Sequence, residues 1–232
     1  MYYVISDIHG CYEEYLKALE AVDFCSKDVL FVLGDVVDRG PQPIRILQDM
    51  MYRDNVYPIM GNHEFAMMSV VTKLGVEITD ETIAALSGED LEGARLWLND
   101  GGMSTLREFL ALSPEGREDI LDYLSEFSLY EEIEAGGREF VLVHAGLDNF
   151  SEDRDLDSYD ISEMIFHAPD YDKVYLKDRF LVTGHRPTLA ERKPGRVIEQ
   201  NNHIAIDCGC VFGGKLAIYC LDNGRCVYID KQ

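Results

Sequence analysis

Short apolar runs alternate with amphipathic stretches along the first seventy residues, and this alternation constrains the fold more than any other feature. Three β-rich runs are present, namely Tyr2–Ser6, Asp28–Leu33 and Val56–Met60. Stretches with apolar residues at helical spacing follow them, namely Tyr12–Val22, Pro41–Met51 and Glu64–Leu74. The pattern predicts an α/β fold in which helices cover parallel strands.

The pattern changes after Gly75, where helical segments separated by turn signals continue to about Ala135. We interpret residues 75–135 as a helical insertion set on the α/β core. Strands resume with Arg138–Gly146, and further short β runs follow an acidic loop. A length of 232 residues suits one domain, so we predict a single domain over residues 1–232 that contains this insertion.

The composition of the chain indicates which classes of partner it disfavours. The chain has 21 Lys and Arg against 43 Asp and Glu, a net charge of −22, which repels nucleic acid and anionic lipid. A phosphate-bearing ligand therefore needs a local positive site. No apolar run is long enough to span a membrane, and the N-terminus lacks the basic and apolar regions of a signal peptide. We predict a cytoplasmic protein that binds neither membrane nor nucleic acid; its oligomeric state stays open.

Residues that can bind metal or phosphate stand where the apolar runs end. They occur in five places, at Asp7 and His9, at Asp35 with Asp38 and Arg39, at Asn62 and His63, at His144, and at His185. One aspartate or histidine there usually forms a turn or a local hydrogen bond. Ligand sites of open α/β sheets lie beyond the carboxyl ends of strands, so five such places favour a shared site. Oxygen and imidazole donors without thiolates suit Mn, Fe or Zn.

The spacing of these residues indicates how they could divide the chemistry. Asp7 and His9 are two residues apart, so in extended backbone both side chains face the same way and can share one ion. Asp35 has two carboxylate oxygens and could bridge a pair of ions. Asn62 and His63 are adjacent, so in extended backbone one would bind metal while the other stays free to transfer protons.

Five motifs in order, "DIHG", "GDVVDRG", "GNHE", "VHAG" and "GH-P", resemble those of the metallophosphoesterases. They are more similar to the phosphoprotein phosphatase family of serine/threonine phosphatases, including its bacterial and phage members. The similarity runs from Asp7 to Gly214, and "WLNDGG" in the insertion resembles the "WL-NGG" of bacterial members. The resemblance implies a four-layer αββα sandwich, with two mixed β-sheets face to face and helices outside.

The resemblance also implies a cofactor and roles for individual residues. Two divalent metal ions are implied, Mn²⁺ foremost, with Fe or Zn as alternatives, and a hydroxide held by them attacks phosphorus. The implied metal ligands are Asp7, His9 and Asp35 for one ion, and Asp35, Asn62, His144 and His185 for the other. His63 would be the general acid, held by Asp38. The guanidinium fork of Arg39 would bind the phosphate, with Asn62 also in contact.

Two departures from the family pattern concern phosphate binding. The family carries a second phosphate-binding arginine between "VHAG" and "GH-P", but Met164–Lys173 contains no arginine, and Ala168 stands near the expected position. The usual "GHTP" is "GHRP" here, so Arg186 follows His185. One hypothesis is that Arg186 partly replaces the absent arginine. The other is that it points away and pairs with an acidic neighbour.

Three functions are compatible with the motifs. We expect a serine/threonine protein phosphatase that hydrolyses phosphomonoesters of proteins. The alternative is a symmetrical dinucleoside tetraphosphate hydrolase, since a sister group shares the motifs. The third is a catalytically weak, metal-binding regulatory protein, which the complete set of His63, Asp38 and Arg39 argues against. The net charge of −22 slightly disfavours a polyanionic nucleotide, but a basic pocket could override it.

Overall fold

The computed structural model describes residues 1–75, 79–190 and 195–232. Its first part alternates strands and helices as the apolar pattern predicts. These elements are β1 (Tyr2–Ile5), α1 (Tyr12–Ala21), β2 (Val29–Val32), α2 (Pro43–Met51), β3 (Val56–Pro58) and α3 (Asn62–Leu74). Helix α2 starts two residues later than expected, because Pro43 rather than Pro41 takes the first helical turn, where a missing N–H costs nothing.

The insertion is helical over most of its predicted length. Its helices are α4 (Asp80–Ala84), α5 (Gly88–Trp97), α6 (Met103–Leu110) and α7 (Pro114–Ser125), with a π-helical turn at Leu98–Gly102 between α5 and α6. Residues 76–78, at the predicted start of the insertion, lie outside the described residues.

The predicted C-terminal end of the insertion is wrong, because Tyr130–Ala135 is a strand, β4. It pairs antiparallel with β5 (Arg138–Val143), and the two strands are joined by Gly136 and Gly137. Both glycines have positive φ, 57° and 73°, which a tight hairpin turn requires. The "GG" dipeptide before an apolar run is typical of a hairpin turn. It therefore indicates that the helical insertion ends before β4 rather than at Ala135.

The remaining elements complete two sheets. They are α8 (Ile161–Ile165), β6 (Phe180–Thr183), β7 (Ile198–Gln200), β8 (His203–Ala205), β9 (Lys215–Cys220) and β10 (Cys226–Asp230). Within the described residues, the strand orders are β10-β9-β1-β2-β3 and β4-β5-β6-β8-β7. Strands β1, β2 and β3 are parallel, as are β5, β6 and β8, so both sheets are mixed.

The two sheets face each other, and the alternation of side chains along each strand fills two separate cores. One core lies between the sheets and contains Val4, Phe31, Phe140, Leu142, Val182, Ile204 and Tyr219. The alternate residues face the helices, among them Ile5, Val32, Val141, Val143, Leu181 and Ile218. This arrangement confirms the αββα sandwich. Among the described helices, none is both long and apolar enough to cross a bilayer.

Glu64, in the first turn of α3, is fully buried and organises the loop after β2. Its carboxylate accepts backbone N–H groups from Asp35 at 2.8 Å, Val36 at 2.8 Å and Val37 at 3.0 Å. It also accepts the N–H of Gly61, at the start of its own helix, at 3.1 Å. One side chain thus ties the loop that carries Asp35 to the N-terminus of α3, where a negative charge is favourable.

Substituting Glu64→Gln should lower the free energy of unfolding by roughly 3 kcal/mol, because the amide replaces acceptor oxygen with a donor facing backbone donors. Urea denaturation followed by circular dichroism measures this loss. The matched control is Glu13→Gln on the exposed face of α1, which should change stability by less than about 0.5 kcal/mol. Equal stability of the two variants would contradict this role of Glu64.

Candidate active site

The loops that follow five strands converge on the carboxylate of Asp35. Its Oδ2 lies 3.6 Å from His9 Nε2 and 4.0 Å from His63 Nε2, and its Oδ1 lies 3.5 Å from His144 Nε2. Within the described residues, two groups of donor atoms could each hold an ion, namely His9 with Asp35 and His63, and Asp35 with His144 and His185. Asp35 is common to both groups, as the prediction of a bridging carboxylate requires.

Backbone carbonyls orient two of the imidazole rings. Nδ1 of His9 lies 2.8 Å from the Val37 carbonyl oxygen, and Nδ1 of His144 lies 2.6 Å from that of Leu33. A carbonyl only accepts hydrogen bonds, so each Nδ1 carries the proton. Each Nε2 is then unprotonated and lies near Asp35, so its lone pair can bind a metal ion. At His9 the same atom also lies beside Nη1 of Arg39.

Asn62 joins the second group of donors through its side-chain oxygen. Its Oδ1 lies 3.0 Å from His144 Nε2 and 3.0 Å from His185 Nδ1. The structure therefore places all four predicted ligands of the second ion together, since Asp35 lies next to His144. Asn62 and His63 are in the first turn of α3, so the premise of extended backbone at this pair is wrong. Their side chains still diverge, because successive helical residues point about 100° apart.

Asp7 lies at the edge of this cluster. Its carboxylate contacts the Ser6 hydroxyl and accepts the backbone N–H of His185 at 2.9 Å. The carboxylate of Asp7 also lies beside Asp207, a buried residue that follows β8. Asp207 is absent from the site residues predicted from the sequence. Asp207 could have been found, since like the other site residues it directly follows an apolar run. The structure brings Asp7 next to the second group rather than into the group formed with His9.

Left-handed backbone is concentrated at the site. Six candidate residues have φ between 44° and 70°, namely Asp7, His9, Asp35, Asp38, Arg39 and His185. Residues with side chains rarely adopt this region, and such strain concentrates at functional sites. The expectation that Asp7 and His9 face the same way in extended backbone is therefore wrong in its premise, since neither residue is extended.

His63 and Asp38 form a buried pair suited to proton transfer. Nδ1 of His63 lies 2.6 Å from Asp38 Oδ2. The indole N–H of Trp97 also donates to Oδ2 at 2.9 Å, and the hydroxyl of Thr105 donates to Oδ1 at 2.6 Å. Burial alone would lower the pKa of His63, but the charge of Asp35 and the hydrogen bond to Asp38 outweigh it and raise this pKa.

Arg39 lies at the open side of the same pair. Its Nη1 is beside His9 Nε2, and its Nη2 donates to Asp100 Oδ1 at 3.1 Å. Its backbone N–H donates to the carbonyl of Gly101 at 3.0 Å. The other oxygen of Asp100 is 3.6 Å from His63 Nε2. Sequence reasoning noted "WLNDGG" as a resemblance only, whereas the segment contacts both Arg39 and the proton-transfer pair.

Arg186, the predicted substitute for the absent second arginine, is exposed. Its backbone N–H donates to the Gly184 carbonyl at 2.7 Å, within the loop that carries His185. Both hypotheses about its guanidinium group stay predictions.

The chemistry of these donors fits divalent metal ions. Burial, followed by neighbouring carboxylates, raises the pKa of Asp7 to about 8 and that of Asp35 well above its usual value. Burial likewise lowers the pKa values of three histidines, His9, His144 and His185. The cluster thus offers neutral imidazoles with unprotonated ring nitrogens, and carboxylates whose charge a bound cation would compensate.

A sandwich that gathers buried carboxylates and imidazoles at its strand ends, beside an arginine, defines a metal-dependent phosphoester hydrolase. The model of one such family, the calcineurin-like phosphoesterases, matches residues 2–229. The chain therefore belongs to the calcineurin-like phosphoesterase family.

Individual relatives resemble the chain to different extents. A symmetrical bis(5'-nucleosyl)-tetraphosphatase of Wigglesworthia glossinidia brevipalpis is 32% identical over 101 residues, which are 42% of this chain and 37% of that relative. The protein of the same name from Baumannia cicadellinicola subsp. Homalodisca coagulata is 26% identical and aligns with 99% of this chain and 92% of its own length. A crystal structure provisionally assigned as a diadenosine tetraphosphatase shares the fold, with a TM-score of 0.68, 20% identity and coverage of 100% of this chain and 93% of that one.

Asp35→Asn should abolish binding of both metal ions, because both groups of donors share this carboxylate. Elemental analysis after loading with Mn²⁺ and desalting measures the bound metal, and Mn²⁺ should raise the melting temperature of the wild type but not of the variant. The control, Asp54→Asn, removes an exposed carboxylate before β3 and should keep the wild-type metal content. An Asp35→Asn protein that retains both ions would show that this carboxylate is not shared.

Proposed function

We propose that this chain hydrolyses dinucleoside tetraphosphates and cuts them symmetrically. The alignment with a symmetrical bis(5'-nucleosyl)-tetraphosphatase over nearly the full length of both chains carries this proposal. Phosphoester hydrolysis itself follows from membership of the family. The motifs alone favoured a serine/threonine protein phosphatase, and the relatives favour the alternative.

The residues that would hold two divalent ions are Asp35, the donors near it and Asp7 at the edge of the cluster. They are Asp7, His9, Asp35, Asn62, His144 and His185. When bound, the ions would neutralise phosphate charge, polarise the phosphorus–oxygen bonds and favour ionisation of a water. Mn²⁺ is the first candidate, and Fe or Zn would suit the same donors.

Arg39 would bind and orient the phosphate. Its planar fork presents two parallel N–H groups that match two phosphate oxygens. Asp100 and the carbonyl of Gly101 hold the arginine in place from the insertion. A fixed guanidinium is needed here, because the net charge of −22 would otherwise repel a tetraphosphate. Asn62 and Arg186 are further candidates for phosphate contact.

His63 would donate a proton to the leaving oxygen from Nε2. Its Nδ1–H is fixed on Asp38, so the ring is held in one orientation. Trp97 and Thr105 hold Asp38 in turn, with three hydrogen bonds to its carboxylate and backbone. The hydrogen bond to Asp38 favours the protonated imidazole and helps to raise the pKa of His63, which suits a proton donor.

A serine/threonine protein phosphatase is the second candidate, because "GDVVDRG" and "GNHE" stand in the order that this group of enzymes uses. The two candidates share the reaction centre and differ in the leaving group. A protein substrate releases a serine or threonine alkoxide, which is strongly basic. A dinucleoside tetraphosphate releases a nucleotide phosphate, which is a far weaker base.

A side-by-side assay of the Mn²⁺-loaded protein on diadenosine tetraphosphate and a phosphoserine peptide tests the proposal. We expect a higher kcat/KM for the dinucleotide, with ADP as the only product by ion-exchange chromatography. Asp35→Asn is the inactive control. Preference for the peptide would overturn the proposal, and equal amounts of ATP and AMP would contradict the symmetrical cut.

His63→Asn should keep the bound metal and lower kcat on the phosphoserine peptide by roughly 10²–10⁴-fold. The loss on diadenosine tetraphosphate should be smaller, since its leaving phosphate needs less help from an acid. Stopped assays on both substrates, with metal content measured in parallel, give the comparison. If the variant instead loses its metal, His63 is a ligand, as its place in the group with His9 would allow.

A further inference from the structure

Two large aromatic side chains are exposed beside the site, and the mechanism uses neither. Phe212 has 57% of its surface exposed, and its ring centroid lies 5.3 Å from the Arg39 guanidinium carbon. Phe166 has 51% of its surface exposed, and its backbone bonds to the His185 ring. A single exposed phenylalanine needs no explanation, but each of these contacts a residue of the active site.

The two phenylalanines adjoin different groups of donors around Asp35. Phe212 is next to Arg39, which contacts His9 in the first group of donors. Phe166 is next to His185, in the second group. The shared carboxylate of Asp35 belongs to both groups, so the two phenylalanines adjoin different ends of one cluster of donors. A ligand with an aromatic group at each end of a phosphate chain would match this order.

Neighbouring contacts restrict both residues although more than half of each is exposed. Phe212 ends a short 3₁₀ turn between Gly209 and Gly213, whose φ values of 72° and 84° only glycine adopts readily. Its N–H donates to the Gly209 carbonyl at 3.0 Å. Phe166 packs edge-to-face on Phe65 of α3, with the ring centroids 6.3 Å apart. Residues that are already restricted lose less entropy when a flat ligand stacks on them.

We propose that Phe212 and Phe166 are stacking platforms for the two nucleobases of a dinucleoside polyphosphate. This inference rests on the proposed function and names the groups that recognise the ends of its substrate. Stacking on an aromatic ring is tolerant of base identity, so adenine and guanine dinucleotides should both bind. Arg39 would add a cation–π contact on the Phe212 side. Holding one base at each end of the donor cluster would present the middle of the phosphate chain for cleavage.

The test separates the contribution of the bases from that of the phosphates. The quantity measured is the inhibition constant of inorganic tetraphosphate divided by the KM for diadenosine tetraphosphate. Phe212→Leu and Phe166→Leu keep apolar bulk and remove the ring, so each should lower this ratio roughly tenfold. Phe212→Trp should restore it. Tyr52→Leu, at a tyrosine with 89% of its surface exposed at the end of α2, is the control and should leave the ratio unchanged.

The outcomes are distinguishable from failure of the proposed function. A wild-type protein that does not hydrolyse diadenosine tetraphosphate would overturn the proposed function and this inference together. A wild-type protein that hydrolyses it while both leucine variants keep the wild-type ratio would overturn only the platforms. A third result is a ratio that falls in Phe212→Leu and stays low in Phe212→Trp. That result would show that position 212 matters for packing, and it would also reject stacking.

Discussion

The buried carboxylate of Asp35 is the interaction on which the rest of this structure depends. It has almost no contact with solvent, three imidazoles lie within 4.0 Å of its oxygens, and the buried Glu64 stands directly behind it. Burying that much negative charge is costly unless cations or N–H groups compensate it. Glu64 is compensated by four backbone N–H groups. The carboxylate of Asp35 accepts the backbone N–H of His63 at 3.1 Å, and bound divalent cations would compensate the rest of its charge.

Packing around Asp35 also explains why the site loops have such unusual backbone. At Gly34, with φ of 76°, a Cβ would come within 2.6 Å of the Gly61 backbone and 2.8 Å of His144. The loop after β2 therefore passes too close to the start of α3 for a regular strand end. Left-handed residues let the loops after β1, β2 and β6 turn sharply, so that their donors reach those that follow β3 and β5. The strain is held by the surrounding contacts, as is usual at functional sites.

Much of this architecture could be predicted from local patterns, and the exceptions share a physical cause. Apolar periodicity located β1, β2 and α1, and strand ends located the donors from Asp7 to His185. The direction in which each donor side chain points depends on the backbone angle φ of its residue. The spacing of residues in the sequence does not reveal that angle. The roles of Glu64, Trp97 and Thr105 depend on contacts with residues 27 to 67 positions away in the chain. Such long-range contacts leave no local periodic signal.

The helical insertion holds the residues that we propose for proton transfer and phosphate binding. The sandwich alone supplies the donors, but Trp97 and Thr105 hold Asp38, and Asp100 and Gly101 hold Arg39. A firmly held His63–Asp38 pair exceeds what a phosphoanhydride needs, because its leaving group is already a weak base. The acid therefore cannot be the element that selects a dinucleotide over a phosphoprotein. Selection has to come from groups around the centre that bind the ends of the substrate, which is where the exposed aromatic rings lie.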